Sequence, residues 1–456
     1  MAFDSINPAT DERLASYPET SRADQETALA LAAQTAKVWR KQDPKERGAL
    51  LARVAGVLRR EQELYAQLIT SEVGKPISEA RGEVEKCAWA CDYYAQHGER
   101  LLSDEEVAVE GARAKVAFLP LGTILAIMPW NFPFWQVFRF ATAALTAGNT
   151  AILKHATNVP QCALAIAEIF RKAGAPEGLF QSLLVHSPSV AALIEDPRIH
   201  AVTLTGSEAA GRQVAAAAGR ALKKTVLELG GSDAFIVLDD ANLEHAAEAA
   251  VASRYQNAGQ SCIAAKRLIL VDSIAEVFLK LLEDRLKRLV CGNPSAESTQ
   301  MGPLARRDLR VALHAQVTAS IAQGAVARLG CTVPEGPGSY YPPSILDQVR
   351  PGMRAYEEEL FGPVAIILRA KDTGDAIRLA NDNRYGLGSS LWTRDLGLAE
   401  RMARRLESGS TFINAMVKSD PRLPFGGTKA SGYGRELAIY GLREFMNIKT
   451  LWIAPT

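Results

Sequence analysis

The segment QNAGQSCIAAKR, residues 256–267, sets Cys262 among small neighbours just ahead of a strand-like run, which leaves its thiol reachable. A lone cysteine reads by itself as a small buried hydrophobe and becomes a nucleophile only in the right company. In LELGGSDAFIVL, Glu228 ends a strand-like run and two glycines follow directly, so the chain turns tightly there. A carboxylate at that turn points into a cleft, where it is either a solvated strand end or a general base. In MPWNFPFWQVFR, prolines bracket Trp130, Asn131 and Phe132 between a strand and a helix. The amide of Asn131 can donate to an oxygen that is developing negative charge. In TGSEAAGR, Gly206, Ser207 and Gly211 open a helix whose first N–H groups can meet a pyrophosphate. This spacing departs from the GxGxxG fingerprint and is weak evidence alone.

These groups need elements to hold them. From Asp24 to Gly98 apolar residues recur at three and four, as in ALLARVAGVLRREQELYAQLI, which predicts amphipathic helices and shows no chemistry of its own. From VAFLPLGTILAIMPW onward, short β-rich runs alternate with helices through AVTLTGS, KTVLELG and AFIVL. That alternation predicts a parallel sheet covered by helices. A second series follows through RLILVDS, VAIILRA, LGSSLWT and STFINAM, and VPEGPGSYYPPS reads as a surface loop. The expected fold is α/β, with a doubly wound dinucleotide-binding domain over 1–101 and 121–230 and a second α/β catalytic domain over 231–443. A small β element for oligomerisation is expected from 102–120 and 444–456, because the tail FMNIKTLWIAPT reads as an edge strand in need of a partner.

With 456 residues the chain is long enough for two or three domains and a buried cleft between them. Its 52 basic residues balance 51 acidic ones, so no general field draws nucleic acid or anionic lipid, and neither is an expected partner. No apolar run reaches the roughly 18 residues of a membrane span, and the first residues lack the pattern of a secretory signal. A cytoplasmic location is expected. The six cysteines lack disulfide-framework spacing and are expected to be free thiols. Cys87 and Cys91 share a helix face as packing residues, and His97 and His155 read as structural. Neither HxxxH nor a paired CxxC occurs, so no metal is expected.

The order PWNFP, ELGG, GQSC resembles the aldehyde dehydrogenase superfamily. The likeness continues through LKHA at Lys154, TGSEAAG, EELFGPV at 358–364 and PFGGTKASGYGRE at 424–436, from INPAT near the start to NIKTLWI near the end. It implies that Cys262 attacks an aldehyde, that Asn131 and the backbone N–H of Cys262 form the oxyanion hole, and that Glu228 activates the deacylating water. This division of labour is sound, because an aldehyde gives up hydride readily only after a nucleophile has made it an alkoxide. It also implies a nicotinamide cofactor held by Trp130, Lys154, Thr157, Gly206, Ser207 and Gly211, with Glu359 at the nicotinamide ribose and Phe361 flanking the ring. Many NAD-specific relatives carry a glutamate where this chain has Thr157, so NADP is not excluded; NAD or NADP is expected, with NAD favoured.

In the family, the face bearing Phe132, Gln136 and Arg139 lines the substrate tunnel. An unpaired buried cation is costly, and a carboxylate at the far end of the substrate would satisfy Arg139. The expected substrate is therefore a short ω-carboxy aldehyde, and the sequence is similar to bacterial succinate semialdehyde dehydrogenases. In MVKSDPRLPFGG, Lys418, Ser419 and Arg422 are available for the same carboxylate, Ser419 foremost. The competing reading pairs Arg139 with an internal acid. Other short or aromatic aldehydes, transfer of the acyl group to CoA and a catalytically silent relative are the alternatives, with Glu228 weighing against CoA. The resemblance further implies a homodimer or homotetramer.

Overall fold

The structure, a computed structural model, describes residues 2–455. Two open sheets organise it, and the candidate site residues stand at or near the ends of their strands. In the first sheet the spatial order is Gly432–Tyr433, Lys224–Glu228, Ile199–Thr205, Thr123–Met128, Thr150–His155 and Phe180–Ser182. The last five run parallel. Strands such as TILAIM and TAILKH are buried along nearly their whole length, as a parallel sheet covered on both faces requires. The earliest strand of the five, Thr123–Met128, lies between Ile199–Thr205 and Thr150–His155, so the winding reverses there. Ligands of open α/β sheets bind beyond the carboxyl ends of strands at such a reversal.

The second sheet has the order Val326–Leu329, Ser344–Asp347, Val364–Ala370, Arg267–Val271, Ala234–Val237, Gly388–Trp392 and Ser410–Ile413, parallel except at its first strand. Gly432–Tyr433, which falls within the expected second domain, instead adds antiparallel to the edge of the first sheet beside Leu227 and Glu228. The C-terminal strand Met446–Ile453 pairs along its whole length with Arg113–Pro120, which also pairs with Glu105–Val107.

The predicted amphipathic helices are Arg22–Trp39, Pro44–Arg60, Gln62–Val73 and Ile77–Leu101. The last three pack with the first sheet into one apolar core containing Cys87 and Cys91, while Arg22–Trp39 reaches that core through Trp39 and otherwise packs in a separate cluster with Leu125, Ile152 and Val202. Between them lies helix Trp135–Thr146, buried at every residue. It has no side-chain cap of its own, and its orphan N–H groups are met from outside. Glu83 Oε1 accepts from the backbone N–H of Phe134 at 2.9 Å and of Trp135 at 3.0 Å, while Lys75 pairs with Glu83. A carboxylate at a helix N-terminus also meets the positive end of its dipole. No helix among the described residues is long and apolar enough to cross a membrane. Among the same residues no group of His, Cys, Asp and Glu could hold a metal ion.

Candidate active site

The first sheet delivers residues from its carboxyl ends. Trp130 and Asn131 follow Met128, Lys154 lies at the end of Thr150–His155, Gly206 and Ser207 follow Thr205, and Glu228 closes its strand. The second sheet delivers residues from the approach to its strands: Cys262 and Lys266 precede Arg267–Val271, and Glu359 and Phe361 precede Val364–Ala370. Chemistry therefore falls in the seam between two frameworks, each rigid through its own core.

The loop that leads into Cys262 is strained and heavily tied. Asn257 and Ala258 adopt left-handed backbone at φ 50° and 52°, which a non-glycine residue keeps only where its surroundings impose it. The Asn257 backbone N–H donates to Glu79 Oε2 at 2.9 Å, and its amide donates to the Asn131 carbonyl at 2.7 Å. Arg254 gives its guanidinium to the carbonyls of Val364, Leu360 and Gly259 at 2.8, 2.9 and 3.2 Å. Asn131 Nδ2 donates to the Gln260 carbonyl at 3.1 Å, which fixes the amide next to the loop and leaves its second N–H available. Gly231 must be glycine, because a Cβ there would stand 2.6 Å from the Cys262 carbonyl oxygen.

Lys266 joins the Cys262 loop to Glu359. Its Nζ donates to the carbonyls of Ser261 and Cys262 at 2.7 and 2.8 Å and pairs with Glu359 at 3.1 Å. Glu359 also accepts from the Gly231 N–H at 3.2 Å. Trp130 and Phe361 meet edge to face with centroids 5.8 Å apart. Burial raises the Cys262 thiol to about 11, against the pull of Arg139 and Lys266.

Glu228 is buried, and burial raises its carboxyl well above the usual range; Arg139 opposes the shift and Glu436 adds to it. Its Oε1 has no hydrogen-bond partner among the described residues. Its backbone carbonyl accepts from the Gly206 N–H at 3.0 Å, tying the end of its strand to the turn that opens helix Glu208–Arg220.

For a dinucleotide, the donors present fit. Ser207 caps helix Glu208–Arg220, accepting from the Ala210 N–H at 3.3 Å, so the helix N-terminus is ordered. A Cβ on Gly211 would lie 2.6 Å from the Leu229 side chain, which shows how closely this helix packs on the sheet. Lys154 is buried, no acid pairs with its ammonium among the described residues, and desolvation lowers its pKa. Thr157 is exposed just beyond it.

A cavity of about 300 Å3 opens onto Cys262 and is lined by Phe132, Trp135, Gln136, Arg139, Lys86 and Ser419, among others. The expected trio is thus present, although Phe132 precedes the helix. Gln136 Oε1 has no partner among the described residues. One premise is corrected: Arg139 is not an unpaired cation. Its Nε pairs with Glu436, Nη2 donates to Thr205 Oγ1 at 3.3 Å, and the guanidinium stacks 4.5 Å from the Phe425 ring centre. Glu436 was within reach of sequence reasoning, as the acid of a quoted motif. Lys86, Glu83 and Glu79, all on helix Ile77–Leu101, were not, because that helix shows only amphipathic periodicity.

The sequence matches the aldehyde dehydrogenase family over residues 1–451. A probable succinate-semialdehyde dehydrogenase [NADP(+)] of Synechocystis is 50% identical, with 100% of each chain covered. A succinate semialdehyde dehydrogenase [NAD(P)+] of Escherichia coli is 50% identical over 98% of this chain and 97% of that one. Among solved structures, a succinic semialdehyde dehydrogenase of Streptococcus pyogenes in complex with NADP+ matches with a TM-score of 0.98, at 36% identity and 100% coverage of both chains. The family match over nearly the whole chain and the full-length relatives show that the chain belongs to the aldehyde dehydrogenase family.

Proposed function

We propose that the chain oxidises a short aldehyde bearing a terminal carboxylate, succinate semialdehyde foremost, to the corresponding acid with NADP or NAD. The observation that carries this reading is a single cavity holding Cys262 together with the cations Arg139 and Lys86 and the hydroxyl of Ser419. The similar proteins named above support the same substrate.

Cys262 Sγ bonds to the aldehyde carbon, while the second Asn131 N–H and the backbone N–H of Cys262 receive the oxygen. Two such donors in a site closed to water are worth several kcal/mol. Arg139 and Lys266 favour the thiolate that attacks. A bound nicotinamide supplies the two-electron acceptor. The acyl group then remains on sulfur as a thioester. Glu228 takes a proton from water as its oxygen adds to the thioester carbon, the C–S bond breaks, and Cys262 leaves as thiolate. A raised carboxyl suits this role, because a general base works best with a pKa near the operating pH.

Trp130, Lys154, Thr157, Gly206, Ser207, Gly211, Glu359 and Phe361 hold the dinucleotide. With no carboxylate at Thr157 the site admits NADP as well as NAD, and the similar proteins named above, which carry NADP(+) and NAD(P)+ in their names, support NADP use. The chain works as a homo-oligomer through the edge strand Met446–Ile453, on which Ile448, Trp452 and Ile453 are 62%, 58% and 49% exposed. The function is tested by absorbance at 340 nm with NAD or NADP and a panel of succinate semialdehyde, glutarate semialdehyde, butanal and benzaldehyde, with and without CoA. Preference for the carboxylated pair without CoA, lost in Cys262→Ala, is expected. Better turnover of benzaldehyde would remove the substrate assignment, and no turnover would make the chain a silent relative.

A further inference from the structure

Among the cations that line the Cys262 cavity, Arg139 is held by Glu436 and Lys418 is exposed. Lys86 differs from both. It is partly buried on helix Ile77–Leu101, and no acid pairs with its ammonium among the described residues. Its Nζ donates to Ser419 Oγ at 2.8 Å and lies 4.4 Å from the ring centre of Trp135. Trp135 Nε1 donates to the same Ser419 Oγ at 3.1 Å. A serine hydroxyl has two acceptor sites and one O–H. With Lys86 and Trp135 taking both acceptor sites, Ser419 has only its O–H left to give.

The result is a small group of donors with no acceptor of its own. An ammonium has two further N–H bonds, Ser419 one O–H, and both residues line the cavity in which Cys262 sits. The complement of such a group is an anion with two acceptor oxygens. Of the two cations of this cavity that are shielded from solvent, Arg139 already has Glu436, and Lys86 has no acid partner among the described residues; Glu79, whose carboxyl burial raises to about 7, lines the same cavity.

We infer that Lys86, acting with the Ser419 hydroxyl that it orients, binds the terminal carboxylate of the substrate and sets the enzyme's preference for ω-carboxy aldehydes. This rests on the substrate class proposed above. Arg139 adds charge from beside the pair but remains anchored to Glu436. A charge-assisted hydrogen bond of this kind accounts for roughly a tenfold to hundredfold preference.

The surroundings of Lys86 provide a second readout. Burial lowers its pKa to about 8; the neighbouring charge of Arg139 adds to the shift, while Cys87, Glu83 and Asp420 oppose it. Glu83 and Cys87 face it from its own helix, Arg139 from helix Trp135–Thr146, and Asp420 from the segment that bears Ser419. In the free enzyme Lys86 is therefore charged below about pH 8 and neutral above it.

The experiment compares kcat/KM for succinate semialdehyde and for butanal, an uncharged aldehyde of equal carbon number, at pH values on both sides of 8. It uses the full-length enzyme, Lys86→Met and Lys86→Arg. In the unsubstituted enzyme the ratio of the two constants should fall as pH rises through about 8. Effects of Cys262 and Glu228 ionisation act on both aldehydes and cancel in that ratio, and the step due to the Glu79 carboxyl, raised to about 7 by burial, is common to all three proteins, so the step that Lys86→Met removes is that of Lys86. Lys86→Met should lower the ratio roughly tenfold to hundredfold and flatten its pH dependence, and Lys86→Arg should recover part of it. If Lys86→Met depresses both aldehydes equally, or the unsubstituted enzyme's ratio is flat with pH, the assignment to Lys86 is overturned while the substrate class stands. If the unsubstituted enzyme shows no preference for the carboxylated aldehyde at any pH, the substrate class falls and the assignment falls with it.

Discussion

Breaking the Arg139–Glu436 pair from either side should be far more damaging than removing it whole. Both side chains are almost fully enclosed, at 2% and 3% exposure. Loss of one partner from a buried pair leaves an uncompensated charge and costs about 3–5 kcal/mol, whereas replacing both with apolar groups is often close to neutral. Arg139→Met and Glu436→Leu should each destabilise by about that amount, and the double variant by less than either, a coupling of at least about 3 kcal/mol. A solvent-exposed pair would give about 1 kcal/mol at most, so the two cases are well separated. Urea unfolding followed by tryptophan fluorescence measures all four proteins, with an unchanged slope confirming comparable unfolding. If the two single effects add in the double variant to within about 0.5 kcal/mol, the pair does not exist as described. The pH profile gives an independent sign. Glu228 acts as a base when deprotonated, so turnover is lost as pH falls through its raised pKa. Burial sets most of that shift, Arg139 lowers it and Glu436 raises it. The acid limb of kcat should therefore move up in Arg139→Met and down in Glu436→Gln.

Glu228→Gln should lower kcat by roughly a hundredfold to ten-thousandfold, with the acyl group trapped on Cys262 and visible as a mass increase of the intact protein. An unacylated, equally slow variant would place Glu228 before the thioester instead. Gly231→Ala should abolish most turnover while the protein stays folded, because the new Cβ would force the Cys262 carbonyl away from a contact of 2.6 Å. Wild-type kcat/KM in that variant would show that the loop has room to shift. Thr157→Glu should shift the NADP to NAD ratio of kcat/KM toward NAD by at least about fivefold. A like charge at 4 Å costs between about 1 and about 4 kcal/mol, depending on how far solvent screens it. An unchanged ratio would put the 2′-phosphate away from residue 157.

The residues proposed to perform chemistry were readable because each stands in a turn whose shape its neighbours dictate. Asn131 lies between prolines, Glu228 before two glycines and Cys262 among small residues; in the structure the Asn131 amide donates to the Gln260 carbonyl two residues before Cys262, and the Glu228 charge acts on the Cys262 thiol. Charge compensation was not readable in this way. Arg139 looked like a cation awaiting a substrate because its partner, Glu436, comes from a segment that folds back to close the edge of the first sheet, a topology with no local signal. Lys86 was hidden for the opposite reason. A lysine on an amphipathic helix normally marks a solvated face, but here Trp135 and Ser419 close over that face and make it the cavity wall. Sequence periodicity shows which face of a helix is polar, and only the packed chain shows whether water or another wall of the protein lies opposite. In this chain the same packing that gives Arg139 an internal partner leaves Lys86 with no acid partner among the described residues, so the cation that the sequence put forward is the one that the fold compensates.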